Sequence, residues 1–200
     1  MTSAARKKKR PPRAWQRMLS GRRLDLLNPS PLDIEIKDIA RGLACVARWN
    51  GQTSGKHAFS VAEHSLLVAD LCRQFRPGWP VRWELAALLH DAPEYVIGDM
   101  ISPFKTALGL DYQSFEGHLQ SAIYMRFGLP ASLPHTVSDI IKRADRASAF
   151  LEAVQLAGFE EAEAVRFFGR PRGVAPVSLE PRPVRQAEKA FLDRFATLVR

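Results

Sequence analysis

Cysteine is nearly absent: Cys45 and Cys72 are the only two among 200 residues. They have no close partner and no CxxC spacing, which excludes a disulfide scaffold and a thiolate-bound structural zinc. Both lie in apolar helical patterns and read as reduced core residues. Long apolar runs are missing too. No stretch of about 18 uninterrupted apolar residues occurs, and the N-terminus passes from basic residues into Pro and Trp without the apolar segment of a signal peptide. No membrane contact is expected, and a cytoplasmic location is. Residues 1–23 hold no acid but nine Lys or Arg. The formal charge of +8 is therefore local, because the rest of the chain sets 20 basic residues against 21 acidic ones. The run Arg6-Lys7-Lys8-Lys9-Arg10, followed by Pro11 and Pro12, marks residues 1–23 as a basic, solvated and disordered arm. A nucleic-acid contact through that arm is the lesser alternative.

Strand-length alternation and internal repeats are also lacking. What the chain does have is helical periodicity, and with 46% hydrophobic residues it supports one core. The expectation is a single all-α domain, a helical bundle, over residues 24–200. Ile36, Ile39, Ala40, Leu43, Ala44 and Ala47 trace an amphipathic helix ending near Arg48. Residues Trp49 to Phe59 contain Asn50-Gly51 and Gly55 and read as a loop. Ser60-Val61-Ala62-Glu63 has the S-x-x-E form of a capping box, so a helix starts there. Val61, Val68, Leu71 and Phe75 form its apolar stripe, and His64 shares that face. A helix from about Val81 to Ala92 carries His90 and Asp91 in its last turn, before Pro93. Residues 99–111 read as turns. Further helices are expected over about Tyr112 to Phe127, Val137 to Ala157 and Val184 to Val199, with a loop over 169–183.

Three of these helices bring metal-type ligands inward: His64, the pair His90-Asp91, and Asp145. Singly they say little, since a lone inward histidine is ordinarily a hydrogen-bonded core residue. Together they say more, because Asp145 in the run Ile141-Ala144-Asp145-Ser148 would bear a large desolvation cost without a partner. Imidazole and carboxylate ligands suit Mn, Co, Fe, Ni or Zn without choosing among them. Four protein ligands leave positions for water and substrate, so one divalent transition-metal cation here would be catalytic. His57 reads as a solvated loop residue, and His118 and His135 are given no role.

In their order, His64, His90-Asp91 and Asp145 resemble the H…HD…D set of the HD superfamily, all-helical phosphohydrolases that bind a divalent cation through those residues. Arg48-Trp49, Ser60-Val61-Ala62-Glu63-His64-Ser65, His90-Asp91-Ala92-Pro93-Glu94, Gly98-Asp99-Met100-Ile101-Ser102-Pro103 and Ala144-Asp145 are similar to its bacterial 5'-deoxynucleotidase (YfbR-like) branch over about residues 35–155. The resemblance implies that Arg48 orients the substrate phosphate, which suits its planar fork. It also implies that Trp49 lies near the sugar, that Glu94 acts on the water or the leaving oxygen, and that Asp99, Met100, Ile101 and Ser102 line the nucleotide pocket. Asp99 joins Glu94 and Arg48 among the expected catalytic groups. A homodimer is implied by resemblance alone. The loop Gln52 to Lys56, the arm and the C-terminal extension depart from the branch's pattern.

Marks of other branches are missing. Glu94-Tyr95 stands where stringent-response hydrolases have Glu-Asp, and no second His-containing segment follows the HD pair. The expected function is a 5'-nucleotidase that releases phosphate from (deoxy)nucleoside monophosphates. Open alternatives are hydrolysis of nucleoside triphosphates or another small phosphate ester, and a nucleic-acid-binding or regulatory protein acting through the arm.

Overall fold

The computed structural model describes residues 14–100 and 110–199. The chain opens on a two-stranded antiparallel hairpin, β1 (Trp15–Arg17) and β2 (Arg23–Asp25), and a 3-10 turn at Pro31–Asp33. The helices that follow are α1 (Ile36–Cys45), α2 (Val61–Phe75), α3 (Val81–Leu88), α4 (Glu94–Ile97), α5 (Leu110–Arg126), α6 (His135–Gln155), α7 (Glu161–Phe168) and α8 (Val184–Leu198). The all-α expectation therefore holds apart from the hairpin. No helix among the described residues is long and apolar enough to cross a membrane.

The core is built around α2, whose apolar face is buried from Val61 to Cys72. The capping box is complete: the Ser60 hydroxyl accepts from the Glu63 N–H, and the Glu63 carboxylate accepts from the Ser60 N–H. That box uses donors which the first turn of any helix leaves free. Helix α6 packs along α2 more extensively than any other element does, and α3 and α8 cover α2's remaining sides. The loop after α7 straps these two helices together. The Arg182 N–H donates to Glu63 Oε1 at 2.8 Å, and Leu179 and Val177 bond to the amide of Gln155. Its Val174, Val177 and Leu179 pack on the core, so the loop expected over 169–183 is ordered by contacts, not by secondary structure.

Several expectations need correction. Residues 14–23 do not belong to a disordered arm: Trp15 pairs with Asp25 and Gln16 with Leu24, while Met18 and Leu24 are buried. The Ser20 hydroxyl and N–H both donate to Asp38 of α1, at 2.5 and 2.9 Å. Two apolar anchors and one buried carboxylate hold a segment that carries the cations Arg17, Arg22 and Arg23. Residues 1–13 of the expected arm, and Ile101 and Ser102 of the expected pocket, lie outside the described residues. Cys45 is exposed at the end of α1, so only Cys72 is a core thiol, and there burial pushes its pKa up to about 12.

Helix α1 stops at Cys45, three residues before Arg48. Ala47 instead forms an antiparallel bridge with Ser60, and the Arg48 N–H donates to the Phe59 carbonyl at 2.8 Å. Helix α3 stops at Leu88, and the HD pair lies in the tight turns that follow, with the Ala92 N–H on the Leu89 carbonyl and the Glu94 N–H on that of Asp91. Pro93 explains the break: it has no N–H to continue α3 and serves as N-cap to α4. Helix α7 was not foreseen.

Helix α4 lies against α1 where Gly42 leaves room for it. A Cβ on Gly42 would meet Tyr95 Cβ at 2.6 Å and the Tyr95 carbonyl oxygen at 2.8 Å. Gly42→Ala should therefore push α4 outward and cost about 1–3 kcal/mol, the usual range for overpacking. Urea unfolding of the variant beside the parent checks this, and equal midpoints would contradict it.

Candidate metal and phosphate site

His64, on the fully buried face of α2, is the centre of the site. Its Nε2 stands 3.2 Å from Asp145 Oδ1 of α6 and 3.3 Å from Asp91 Oδ2. The His90 Nε2 stands 3.3 Å from the same Asp91 oxygen. The four expected ligands are thus brought together, with the ligand atoms of His64, His90 and Asp145 all within 4.8 Å of one another. Asp145 is half-exposed, its side chain 46% accessible. The desolvation cost expected of it is therefore smaller than its place in the helix suggests, and its geometry makes it a candidate.

The far nitrogen of each ring sets the tautomer of the near one. His90 Nδ1 donates to the Ala87 carbonyl at 2.8 Å, and His64 Nδ1 donates to Glu152 Oε1 at 2.6 Å. In the neutral rings this leaves an unprotonated Nε2 on both, aimed at carboxylate oxygens that cannot donate. Both Nε2 atoms are buried and take no hydrogen bond. Orphaned acceptors facing acceptors are what a cation resolves, and neighbouring ligands about 2.1 Å from one ion lie about 3 Å apart at right angles. The residues present fit a divalent cation.

Glu152 was missed by the sequence reading. It lies on α6 seven residues after Asp145, fully buried. Its Oε1 accepts from His64 Nδ1 and from the Ser148 hydroxyl at 2.7 Å, and its Oε2 accepts from Trp49 Nε1 at 2.8 Å and Arg48 Nε at 3.3 Å. The available signal was the inward stripe Ile141, Asp145, Ser148 and Glu152, spaced by three or four residues.

Arg48 and Trp49 follow the bridge that closes α1 onto α2. Trp49 and Asn50 both have positive φ, 56° and 51°, a left-handed conformation that costs a bulky residue of order 1–3 kcal/mol. The surroundings hold Trp49 there. Its indole N–H is fixed by Glu152, and its ring packs on Phe159 and Phe168 at 5.6 and 6.0 Å between centroids. Helix α7 thus supplies part of the wall that carries Trp49. Arg48 Nη1 donates to Asp99 Oδ2 at 3.1 Å, just beyond the left-handed Gly98 that ends α4. Glu94 opens α4, is 2% exposed, and lies within the electrostatic reach of Arg48, as does Asp91. Met100 is half-buried beside Asp99, and His57, His118 and His135 lie outside the ligand cluster.

Burial opposes the charge on Arg48, but Glu152, Asp99, Asp91 and Glu94 outweigh it and raise the guanidinium pKa. Burial likewise works against ionised Glu152, yet His64 and Arg48 hold it well below the usual carboxylate range. Asp91 and Asp145 are also lowered against burial, Asp91 by His90 and His64, Asp145 chiefly by His64.

The HD domain family matches residues 61–150, the span from α2 through the middle of α6. An uncharacterised protein of Rhodobacter capsulatus is 59% identical over 193 residues, covering 94% of this chain and 97% of that protein. The chain belongs to the HD superfamily. The uncharacterised protein YfdR of Escherichia coli is 35% identical over 114 residues, 56% of this HD chain and 58% of its own. Among solved structures, the HD phosphohydrolase DatZ of cyanophage S-2L, bound to dA and one catalytic Zn2+ ion, matches with a TM-score of 0.51 and 20% identity. That match covers 83% of this chain and 96% of DatZ, and it shows the shared fold.

A signed pH dependence follows for the metal-free HD protein. Burial and Arg48 push the His64 pKa down, but Glu152, Asp145 and Asp91 outweigh them and raise it well above 6.5. Its contribution to stability is then fully present below its unfolded value of about 6.5 and lost as pH rises through the folded value. A cation needs Nε2 unprotonated, so binding releases that proton. The melting temperature of metal-free protein should fall as pH rises above neutral. Added Mn or Zn should remove the fall and release protons, read from the buffer dependence of the binding enthalpy. A flat profile with no proton release would contradict the assignment.

Proposed function

We propose that this HD protein is a metal-dependent phosphohydrolase acting on nucleotides, and that its preferred reaction releases orthophosphate from (deoxy)nucleoside 5'-monophosphates. The observation that carries this reading is a buried, permanently charged Arg48 that shares the Glu152 carboxylate with His64, whose Nε2 faces Asp91 and Asp145 beside that of His90. Such a pairing of a cation site with an oriented guanidinium suits a phosphate ester. The dA and catalytic Zn2+ bound by DatZ, whose fold is similar, support a nucleotide as the substrate class.

His64, His90, Asp91 and Asp145 would hold the cation, which when bound lowers the pKa of a water and polarises a phosphoryl oxygen. Asp99 and Glu152 fix Nη1 and Nε of Arg48 and thereby set the plane of its fork against the phosphate. Trp49 and Met100 are assigned the apolar contact with the nucleoside. Glu94 is assigned the proton transfer. As water attacks phosphorus and the bond to the ribose 5' oxygen breaks, Glu94 takes the proton of the one or supplies the proton of the other.

Purified protein with Mn, Co or Zn, offered ribo- and deoxynucleoside mono-, di- and triphosphates, should release orthophosphate fastest from monophosphates. Pyrophosphate or triphosphate as the main product would replace the monophosphatase reading, and silence across the panel would end the hydrolase one. Glu94→Gln should lower kcat by about 10²–10⁴ while bound metal stays at the parent's level, because a general acid or base contributes about that factor.

A further inference from the structure

The four donors around Glu152 are divided between its two oxygens by destination. Oε1 receives His64 Nδ1 and the Ser148 hydroxyl, on the side of the cation ligands. Oε2 receives Trp49 Nε1 and Arg48 Nε, on the side assigned to phosphate. No other single side chain joins the two halves by direct hydrogen bonds on both, among the bonds described. Glu152 is also wholly shielded from water, so these four bonds replace its entire hydration, and displacing the carboxyl toward one pair weakens the other.

We propose that Glu152 is a positioning residue that couples cation affinity to phosphate affinity, by anchoring His64 through one oxygen and Arg48 with Trp49 through the other. A cation on Nε2 draws electron density from the imidazole and makes Nδ1–H a stronger donor. The stronger bond tightens Oε1, and a rigid carboxyl group carries that restraint to Oε2. Arg48 is then held in the orientation that receives phosphate, in addition to any direct contact between phosphate and cation. Partners of a ligating imidazole are usually worth 10–100-fold in metal affinity; here the same partner is shared with the anion side.

The inference rests on the proposed function only in requiring a cation and a phosphate, so it is read from binding and not turnover. Mn2+ is titrated into metal-free protein by calorimetry, and inorganic phosphate is titrated into protein saturated with Mn2+. Glu152→Gln offers one acceptor and one donor where two acceptors are needed. It should weaken Mn2+ about 10–100-fold and, once saturated, weaken phosphate as well. The gentler pair decides the matter if that variant does not fold. Ser148→Ala removes a donor from Oε1 only, and Trp49→Phe removes one from Oε2 only while keeping an aromatic ring. Coupling through a shared anchor predicts that Ser148→Ala weakens phosphate and that Trp49→Phe weakens Mn2+, each by about fivefold or more. Variants that each move only the affinity on their own side overturn the proposal, as does a parent protein that takes up no cation. Protein that binds both ligands cooperatively yet hydrolyses no nucleotide would refute the proposed function and leave the coupling in place.

Discussion

The 2.6 Å contact between His64 Nδ1 of α2 and Glu152 Oε1 of α6 joins two fully buried groups from the two most extensively packed helices. Neither group is tolerable alone. An ionised carboxylate without partners inside a core costs several kcal/mol, and removing one member of a buried pair typically costs about 3–5 kcal/mol. The pair therefore fixes the register of α2 against α6. That register sets where Asp145 stands relative to His64 and hence whether the ligands converge. The strap over 169–183 works toward the same end from outside, since it touches Glu63 at the start of α2 and Gln155 at the end of α6.

Much of this was legible before any coordinates. The capping box placed the start of α2 to the residue, because its two hydrogen bonds depend only on Ser60 and Glu63 and their spacing. The last helix was legible to within a residue, and the H…HD…D order picked out the four residues that converge. Elements whose formation depends on distant partners were not legible. Glu152 looks like any polar helix residue until α2 and the Trp49 turn close over it. Helix α7 has only eight residues and takes its apolar partners from α6 and the Trp49 region. The hairpin from Trp15 was hidden by reading nine cationic residues as one block, although Met18 and Leu24 within and beside it are core residues. Cys45 failed for a simpler reason. It shares a helix with Leu43 and Ala44, and a turn of 100° per residue carries it away from their face.

The backbone strain at Trp49 belongs to the same design. A left-handed tryptophan persists only where its surroundings determine it, and here the indole N–H on Glu152 and the rings of Phe159 and Phe168 do so. Because Arg48 is its chain neighbour and its companion on Oε2, the strain is spent on aiming a guanidinium. The buried cluster around Trp49 touches the main core through Leu151, and Glu152 bonds both Trp49 with Arg48 and His64.

Charge decides the order in which such a site fills. Asp91, Asp99, Asp145, Glu94 and Glu152 put five carboxyl groups around the single guanidinium of Arg48 and two imidazoles. Two unit charges 4 Å apart interact by about 4 kcal/mol at an effective dielectric near 20. A phosphate dianion approaching the metal-free cluster meets several such repulsions against the attractions of Arg48 and protonated His64, and Arg48 already has two of its donors on Asp99 and Glu152. A divalent cation among Asp91, Asp145 and the imidazoles reverses the balance where the phosphoryl group must sit. On the proposed function, the surplus of carboxylates favours cation binding before phosphate binding.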